Sequence, residues 1–383
     1  MSTDTDFVPA EAFPPGDFLR EELAERGWTQ ADLADILGKS LPLVNEVITG
    51  KREITPATAQ ALSAALGTSA QFWLNLESTY RLYLESQKRT NDDSGVSRRA
   101  RLYSKAPVKE MVKRGWIESS SNVEVLERRI CDFFEIKKIE DSPSFLPHAA
   151  RKSVSYDTVN SSLLTWLYRA RQLARITPVS GTFGVGKLSV FPALKTLLHA
   201  PAETRQVARI LSQGGIRLVI VEPISRTRVD GVTFWLDRKS PVVALSLRID
   251  RIDWFWHTLI HELEHVDARD GQQDSLPIVH DYELLKTSEA PEAEKAVSKR
   301  AAAKIIDQDE LDDFIARTRP LYSKTKIENF AGRLKVHPGI VVGQLQHRKE
   351  IDWSHSRNLL AKVREFVVGS TLTDGWGFTP LAL

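Results

Sequence analysis

The sequence predicts a mainly α protein with a small β-sheet: an N-terminal five-helix domain, then a larger α+β domain ending in a helical subdomain. Three observations predict this. Apolar residues recur at helical spacing in five short segments between Gly16 and Tyr83, separated by turn signals. After Gly214-Gly215 the period changes, and three short β-branched runs follow, bounded by Pro223, Gly231 and Pro241. An apolar run, Trp254–Ile260, then leads into His261-Glu262-Leu263-Glu264-His265. The expected divisions are residues 1–85 for the first domain, 86–107 for a basic linker and 108–212 for a helical middle region. Residues 213–310 form the core around the histidine motif, and 311–383 the helical C-terminal subdomain.

In chain order, residues 1–15 read as a loose arm containing Pro9, Pro14 and Pro15. Helices are expected near 17–26, 30–37, 41–49, 56–66 and 70–85, with Thr29 capping the second and Pro56 in the first turn of the fourth. The stretch 86–107 is polar and basic, with marginal helicity. Strands are expected at Ile216–Val221, Val232–Asp237 and Val242–Leu247. Helical signals return near 251–268, 290–306, 325–334, 339–347 and 354–367.

Composition narrows the class. At 383 residues, with 42% hydrophobic and 27% charged, the chain has the make-up of a multidomain globular protein. No apolar run reaches the ~20 residues of a bilayer span, and the start, MSTDTDFVPAEAF, lacks the basic and apolar regions of a signal peptide. A cytoplasmic location with no membrane partner is expected. The single cysteine, Cys131, excludes an internal disulfide and reads as a buried core thiol. Net charge is +2, unevenly spread: residues 1–85 hold 6 Lys/Arg against 13 Asp/Glu, and residues 87–115 hold 9 against 3. The first domain is thus acidic and the stretch behind it basic.

HExxH on a helix sets two imidazoles one turn apart on one face, at the spacing that lets His261 and His265 reach one zinc ion. Glu262, about 100° round the helix, is the candidate general base: it takes a proton from water and passes it to the leaving amine. Chance alone produces HExxH roughly once in a hundred such chains, so the apolar run before it carries much of the weight. The strand at Pro241–Leu247 could hold an extended peptide by backbone hydrogen bonds. His257 cannot be a third ligand, because it lies eight residues from His265, ~12 Å along a helix. A carboxylate from the following helix is left, Glu294 first and Glu292 second, with solvated first-turn acids as the plainer reading of both.

The stretch from Arg251 through His265 resembles the ImmA/IrrE-type metallopeptidases, in which an aromatic helix runs into HELGH. The resemblance extends through GIRLVIVEP upstream and ENFAGRLKVHPGIVVGQLQ downstream, covering about 210–350. It implies a zincin-like (gluzincin) fold and a zinc-dependent endopeptidase that cuts a repressor or antitoxin. The segment from Glu294 to Ile306 matches the family's third-ligand pattern, which selects Glu294. Two positions depart from it. Glu264 stands where the family has a small residue, and there it is expected to crowd the zinc. Arg300 and Ser298 replace the usual Phe and Asp.

Thr29 through Ile48 has helix-turn-helix spacing, with small Ala34 at the crossing, Gly38 at the turn, and Leu33, Val44 and Ile48 in a shared core. The second helix would present Ser40, Asn45 and Thr49 to base edges, with Gln30, Lys39, Lys51 and Arg52 against phosphates. Plain packing of five helices is the bland alternative. The stretch from Pro15-Gly16 to Phe72-Trp73-Leu74-Asn75-Leu76 resembles HigA-type antitoxin repressors, which implies a dimer on operator DNA, often beside a toxin partner.

Gly181 to Lys187 satisfies GxxxxGK, but Leu188 replaces the magnesium-binding Ser/Thr and Pro192 interrupts the required helix, so no nucleotide is expected. The combined expectation is a DNA-binding regulator fused to a zinc endopeptidase that acts on a repressor, an antitoxin or its own linker. The alternative is a repressor whose peptidase-like domain only binds a partner or senses a signal.

Overall fold

The computed structural model describes residues 12–88, 95–141, 143, 161–184, 190–225, 227–272, 278–280 and 292–378. They belong to two units, Met1–Ser97 and Arg98–Leu383.

The first unit is built from α1 (Pro15–Arg26), α2 (Gln30–Leu37), α3 (Leu41–Ile48), α4 (Pro56–Leu66) and α5 (Ala70–Lys88). Thr29 closes a reciprocal cap with Asp32: its Oγ1 accepts the Asp32 amide at 3.2 Å, and the Asp32 carboxylate accepts the Thr29 amide at 2.7 Å. Gly38 ends α2 in the left-handed region at φ 61°, which turns the chain into α3. Gly16 is required by packing, since a Cβ there would meet the Ile48 carbonyl oxygen at 2.0 Å. Leu19, Leu33, Val44, Ile48, Leu62 and Trp73 form the core, all buried.

The second unit holds most of α6 (Gly95–Lys105), then α7 (Val108–Lys113), α8 (Val123–Phe134), α9 (Ser161–Ile176), α10 (Val190–Lys195) and α11 (Val207–Gln213). Three strands follow, β1 (Arg217–Val221), β2 (Gly231–Trp235) and β3 (Pro241–Leu245), then α12 (Ile252–Ala268) and β4 (Ile278–His280). The chain continues through α13 (Glu292–Ile305), α14 (Gln308–Thr318), α15 (Lys324–Leu334), α16 (Pro338–His347), α17 (Arg364–Val368) and β5 (Leu372–Asp374). The sheet has the order β4-β2-β3-β1-β5, with β1 parallel to β3 and β5, and β2 antiparallel to β3 and β4.

Alternation along the strands sorts two cores. Leu218, Ile220, Val243 and Leu245 join the side packed by α12 and α16, while Val219, Val221, Val242 and Ala244 join the side packed by α8 and α9. Cys131 lies on the second side, buried, and burial pushes its thiol up from the ordinary range.

Four expectations need correction. The linker at 86–107 is mostly helix: α5 runs to Lys88 and α6 starts at Gly95, anchored by fully buried Leu102. Residues 89–94 lie outside the described residues. The sheet has five strands rather than three, because β4 and β5 are three residues long and too short to show a period. The helix expected at 354–367 is a 3₁₀ turn at Arg357–Leu359 followed by α17. The expected set also omitted α14, whose start is marked by Asp307 accepting the Asp309 and Glu310 amides.

Candidate metal centre and nucleic-acid interface

Helix α12 is apolar on nearly every side, so it lies inside the second unit and takes its histidines with it. His261 is fully buried and His265 nearly so. Their Nε2 atoms stand 3.1 Å apart. The Glu294 Oε2 lies 3.2 Å from His261 Nε2 and 3.5 Å from His265 Nε2. Among the described residues these three form the one group of His, Cys, Asp and Glu close enough to share an ion. Glu292 is elsewhere, 88% exposed and paired with Lys295 at 2.9 Å.

Each imidazole is held at its other nitrogen. Helix α12 ends with Arg269 in the left-handed region at φ 59°, and that turn brings Asp270 back towards the helix. His265 Nδ1 donates to the Asp270 carboxylate at 2.8 Å, and Trp235 of β2 fixes the Asp270 carbonyl at 2.9 Å. The Ser298 hydroxyl pairs with His261 Nδ1 at 3.0 Å. Such outer partners fix ring orientation and aim both Nε2 atoms at one point. The donor set of two imidazoles and one carboxylate fits zinc.

Charge at the centre follows from burial. His261 is lowered from its ordinary range by burial. Burial opposes protonation of His265 as well, but Glu294, Glu262 and Asp270 together override it and raise the group to about 9. Burial works to raise Glu294, and the two imidazoles outweigh it, leaving the carboxyl below its usual range.

Glu262 is fully buried, and burial pushes its carboxyl up to about 8. Its Oε2 sits 2.7 Å from the Thr233 hydroxyl, while Oε1 has no hydrogen-bond partner among the described residues. Gly231 of β2 makes the room, since a Cβ there would lie 2.7 Å from Oε1. The arrangement offers a carboxyl with one oxygen anchored and one unengaged, suited to holding or moving a proton.

Glu264 does not crowd this centre, contrary to expectation. Its carboxylate is buried and engaged by Arg300 at 2.9 Å and by Lys304, both on α13. The buried acid on α12 is matched by two cations on the facing helix. The strand Pro241–Leu247 is likewise no open edge: β3 is hydrogen-bonded to β1 and β2, and the edge on the β2 side is β4. Of the GxxxxGK segment, residues 185–189 lie outside the described residues.

In the first unit, α3 exposes Asn45, with Ser40 at its N-terminal boundary and Thr49 at its C-terminal one, both exposed. The Ser40 side chain makes no cap bond, but the Thr49 hydroxyl donates to the Asn45 carbonyl at 2.8 Å. Lys39, Lys51 and Arg52 are exposed and Gln30 is partly buried. Arg52 is not a free cation, being 3.2 Å from Glu46. Leu41, unremarked in the sequence, is 47% exposed at the first position of α3 and offers an apolar group of the kind that meets thymine methyls. The basic stretch behind the first domain is committed elsewhere: Arg98 pairs with Glu127 at 2.9 Å and Arg101 with Glu140 at 3.0 Å, while Arg99 bonds the Ser121 carbonyl.

A family model described as helix-turn-helix matches residues 19–73. An uncharacterized HTH-type transcriptional regulator of Escherichia coli K12, YddM, is 34% identical over 88 residues, which is 23% of this chain and 88% of that protein. Virulence-associated protein I of Dichelobacter nodosus is 39% identical over 77 residues, 20% of this chain and 71% of that protein. Two solved structures are also similar. The Pseudomonas aeruginosa antitoxin HigA with the higBA promoter is 38% identical, covering 20% of this chain and 86% of that one, with a TM-score of 0.20. An addiction module antidote protein of a HigA family from Coxiella burnetii is 33% identical, covering 20% and 86%, also with a TM-score of 0.20.

Proposed function

This chain belongs, through its N-terminal unit, to the helix-turn-helix family; we propose from that membership a DNA-binding transcriptional regulator of the antitoxin-repressor type, and from the second unit's histidine centre a zinc-dependent endopeptidase joined to it. The regulator binds operator DNA as a homodimer through α3, with Asn45 and Ser40 towards base edges and Lys39 and Lys51 towards phosphates. It works without a membrane and in the cytoplasm. The endopeptidase acts on a protein, either a repressor or antitoxin partner or this chain itself, and cleavage relieves repression under stress.

The observation that carries the second half is the meeting of His261, His265 and Glu294 beside a buried Glu262 with one free oxygen. His261, His265 and Glu294 would hold zinc, which when bound supplies Lewis acidity towards a carbonyl and towards water. Asp270 and Ser298 orient the two rings. Thr233 keeps Glu262 in place, and Oε1 is the atom that takes up and releases the proton. The reading in which the domain only binds a partner rested on Glu264 and on the altered third-ligand helix carrying Ser298 and Arg300; against it, Glu264 pairs with Arg300 and Lys304, and Ser298 pairs with His261 Nδ1.

The test combines metal analysis with fragment mapping of zinc-loaded wild type and Glu262→Gln, alone and with the protein encoded beside it. One zinc per chain and fragments formed only by the wild type are expected. Identical fragments from both proteins, or none from either, would leave the binding-only reading standing.

A further inference from the structure

On the Nδ1 side of His261, helices α12, α13 and α16 enclose a cavity of about 280 Å³. That volume is near the lower end of the range for small-molecule sites, ~300–1,000 Å³. None of His261, Glu262, His265 and Glu294 lines it, so it is a compartment apart from the metal centre. Trp254, Ala302, Ile305 and Ile340 give it apolar walls.

The polar lining is one-sided. Lys295, Lys299 and Arg348 contribute three cations against one acid, Asp253. Asp253 is already occupied by Arg251, in two bonds of 3.0 and 2.7 Å. Gly343 pins it further, since a Cβ at that position would meet the Asp253 carboxylate at 2.3 Å. Lys295 is shared with Glu292, and Arg348 with Asp312. Lys299 is exposed and has no ion pair among the described residues.

We propose that this cavity is an effector site for a small organic anion, with a carboxylate or phosphate head towards Lys299 and Arg348 and a ring or short alkyl body against Trp254 and Ile340. The apolar walls reward removal of the body from water, and the basic side fixes the orientation and rejects cations. The site touches the metal centre through two side chains: Ser298 lines the cavity and pairs with His261 Nδ1, and His257 lines it with its ring 6.3 Å from that of His261. Glu294 lies one turn earlier on the same helix. A ligand that favours one seating of α13 therefore changes zinc affinity, and zinc changes ligand affinity by the same factor. This coupling rests on the proposed zinc centre; the anion site itself does not.

The test is calorimetric titration of the full-length, metal-free protein with benzoate, phenyl phosphate, benzylamine and inorganic phosphate. Benzoate or phenyl phosphate is expected to bind one per chain with a Kd below about 1 mM, and benzylamine and inorganic phosphate at least about tenfold more weakly. Lys299→Glu, at an exposed position, is expected to weaken the anion at least about tenfold, and Ala302→Trp to abolish binding by filling the cavity. No binding of either aromatic anion up to about 10 mM overturns the proposal, as does binding that Lys299→Glu leaves unchanged or benzylamine binding as tightly. Zinc titration of the ligand-free protein reads the metal centre separately. A zinc affinity that saturating benzoate or phenyl phosphate leaves unaltered overturns the coupling alone.

Discussion

At the scale of single residues, the centre divides into groups that a motif finds and groups that only folding assembles. His261, Glu262 and His265 were legible because helical spacing fixes their relation before any tertiary contact exists. Glu294 needed the resemblance to separate it from Glu292, and the geometry separates them by burial, with Glu294 24% and Glu292 88% exposed at the side chain. Asp270 and Ser298 were not legible as partners of the rings. Asp270 acts through a left-handed turn at Arg269, a position with no sequence signature of its own. Glu294→Ala is therefore expected to weaken zinc binding strongly and Glu292→Ala to leave it unchanged, by competition titration with a chromophoric chelator. Asp270→Ala should lower zinc affinity about 10–100-fold, the usual effect of losing an orienting partner; full affinity would remove Asp270 from the centre. On α3, Asn45→Ala should cost about 1–3 kcal/mol and relax operator choice. Lys51→Ala should weaken all sequences alike, and a binding assay over a randomised site tells the two apart.

Among the elements, the helices whose ends carry caps were placed well from the sequence, as at Thr29 for α2 and Pro56 for α4. What escaped was short or distant. β5 pairs with β1 at Val219↔Leu372, a match between segments about 150 residues apart that no local pattern reports. The joining of α13 to α12 has its own polar device in the contacts of Glu264 with Arg300 and Lys304. Removing both cations strands a buried carboxylate. Arg300→Ala with Lys304→Ala is expected to cost about 3 kcal/mol, the low end for a broken buried pair because both cations reach water. Adding Glu264→Gln should return part of that loss, and denaturant unfolding measures both steps.

Helix α12 also carries a pH dependence. Burial, aided by the charges of His261 and His347, lowers His257 from 6.5 to about 3. Between those values the unfolded chain binds the proton and the folded chain does not, so stability falls as pH drops through that window. His257→Gln should flatten the fall between about pH 6.5 and 4 in urea titrations, by up to ~1.4 kcal/mol for each pH unit. An unchanged slope would assign the acid sensitivity to other groups.

For the whole molecule, the change of period after Gly214-Gly215 located the sheet, and the alternation along its strands explains why one short sheet serves two cores. The linker expected at 86–107 was largely taken up by α5 and α6. The error has a physical source. Arginines and serines look solvated in sequence, yet Arg98 and Arg101 are partnered by acids 26 to 39 residues away. Few cations are thus left near α3, chiefly Lys39 and Lys51, since Arg52 is shared with Glu46. Operator binding should accordingly show a shallow salt dependence, a slope of about −2 to −3 per protomer in log affinity against log salt, rather than the ~−10 of a strongly basic repressor. A steep slope would mean that cations outside α3 and its flanks take part.

The unequal support of the two imidazoles has a consequence in time. His265 is steadied by Asp270, five residues along the same stretch of chain, so its bracing travels with it. His261 depends on Ser298, which α13 carries together with Glu294, the proposed third ligand. If the centre takes zinc as proposed, loading is expected in two steps: a first, loose capture by the histidine pair, then a tightening when α13 seats. Stopped-flow uptake of cobalt should show two phases, the slower one accelerated in neither metal nor protein concentration, and lengthened or lost when Arg300 and Lys304 no longer hold α13 down.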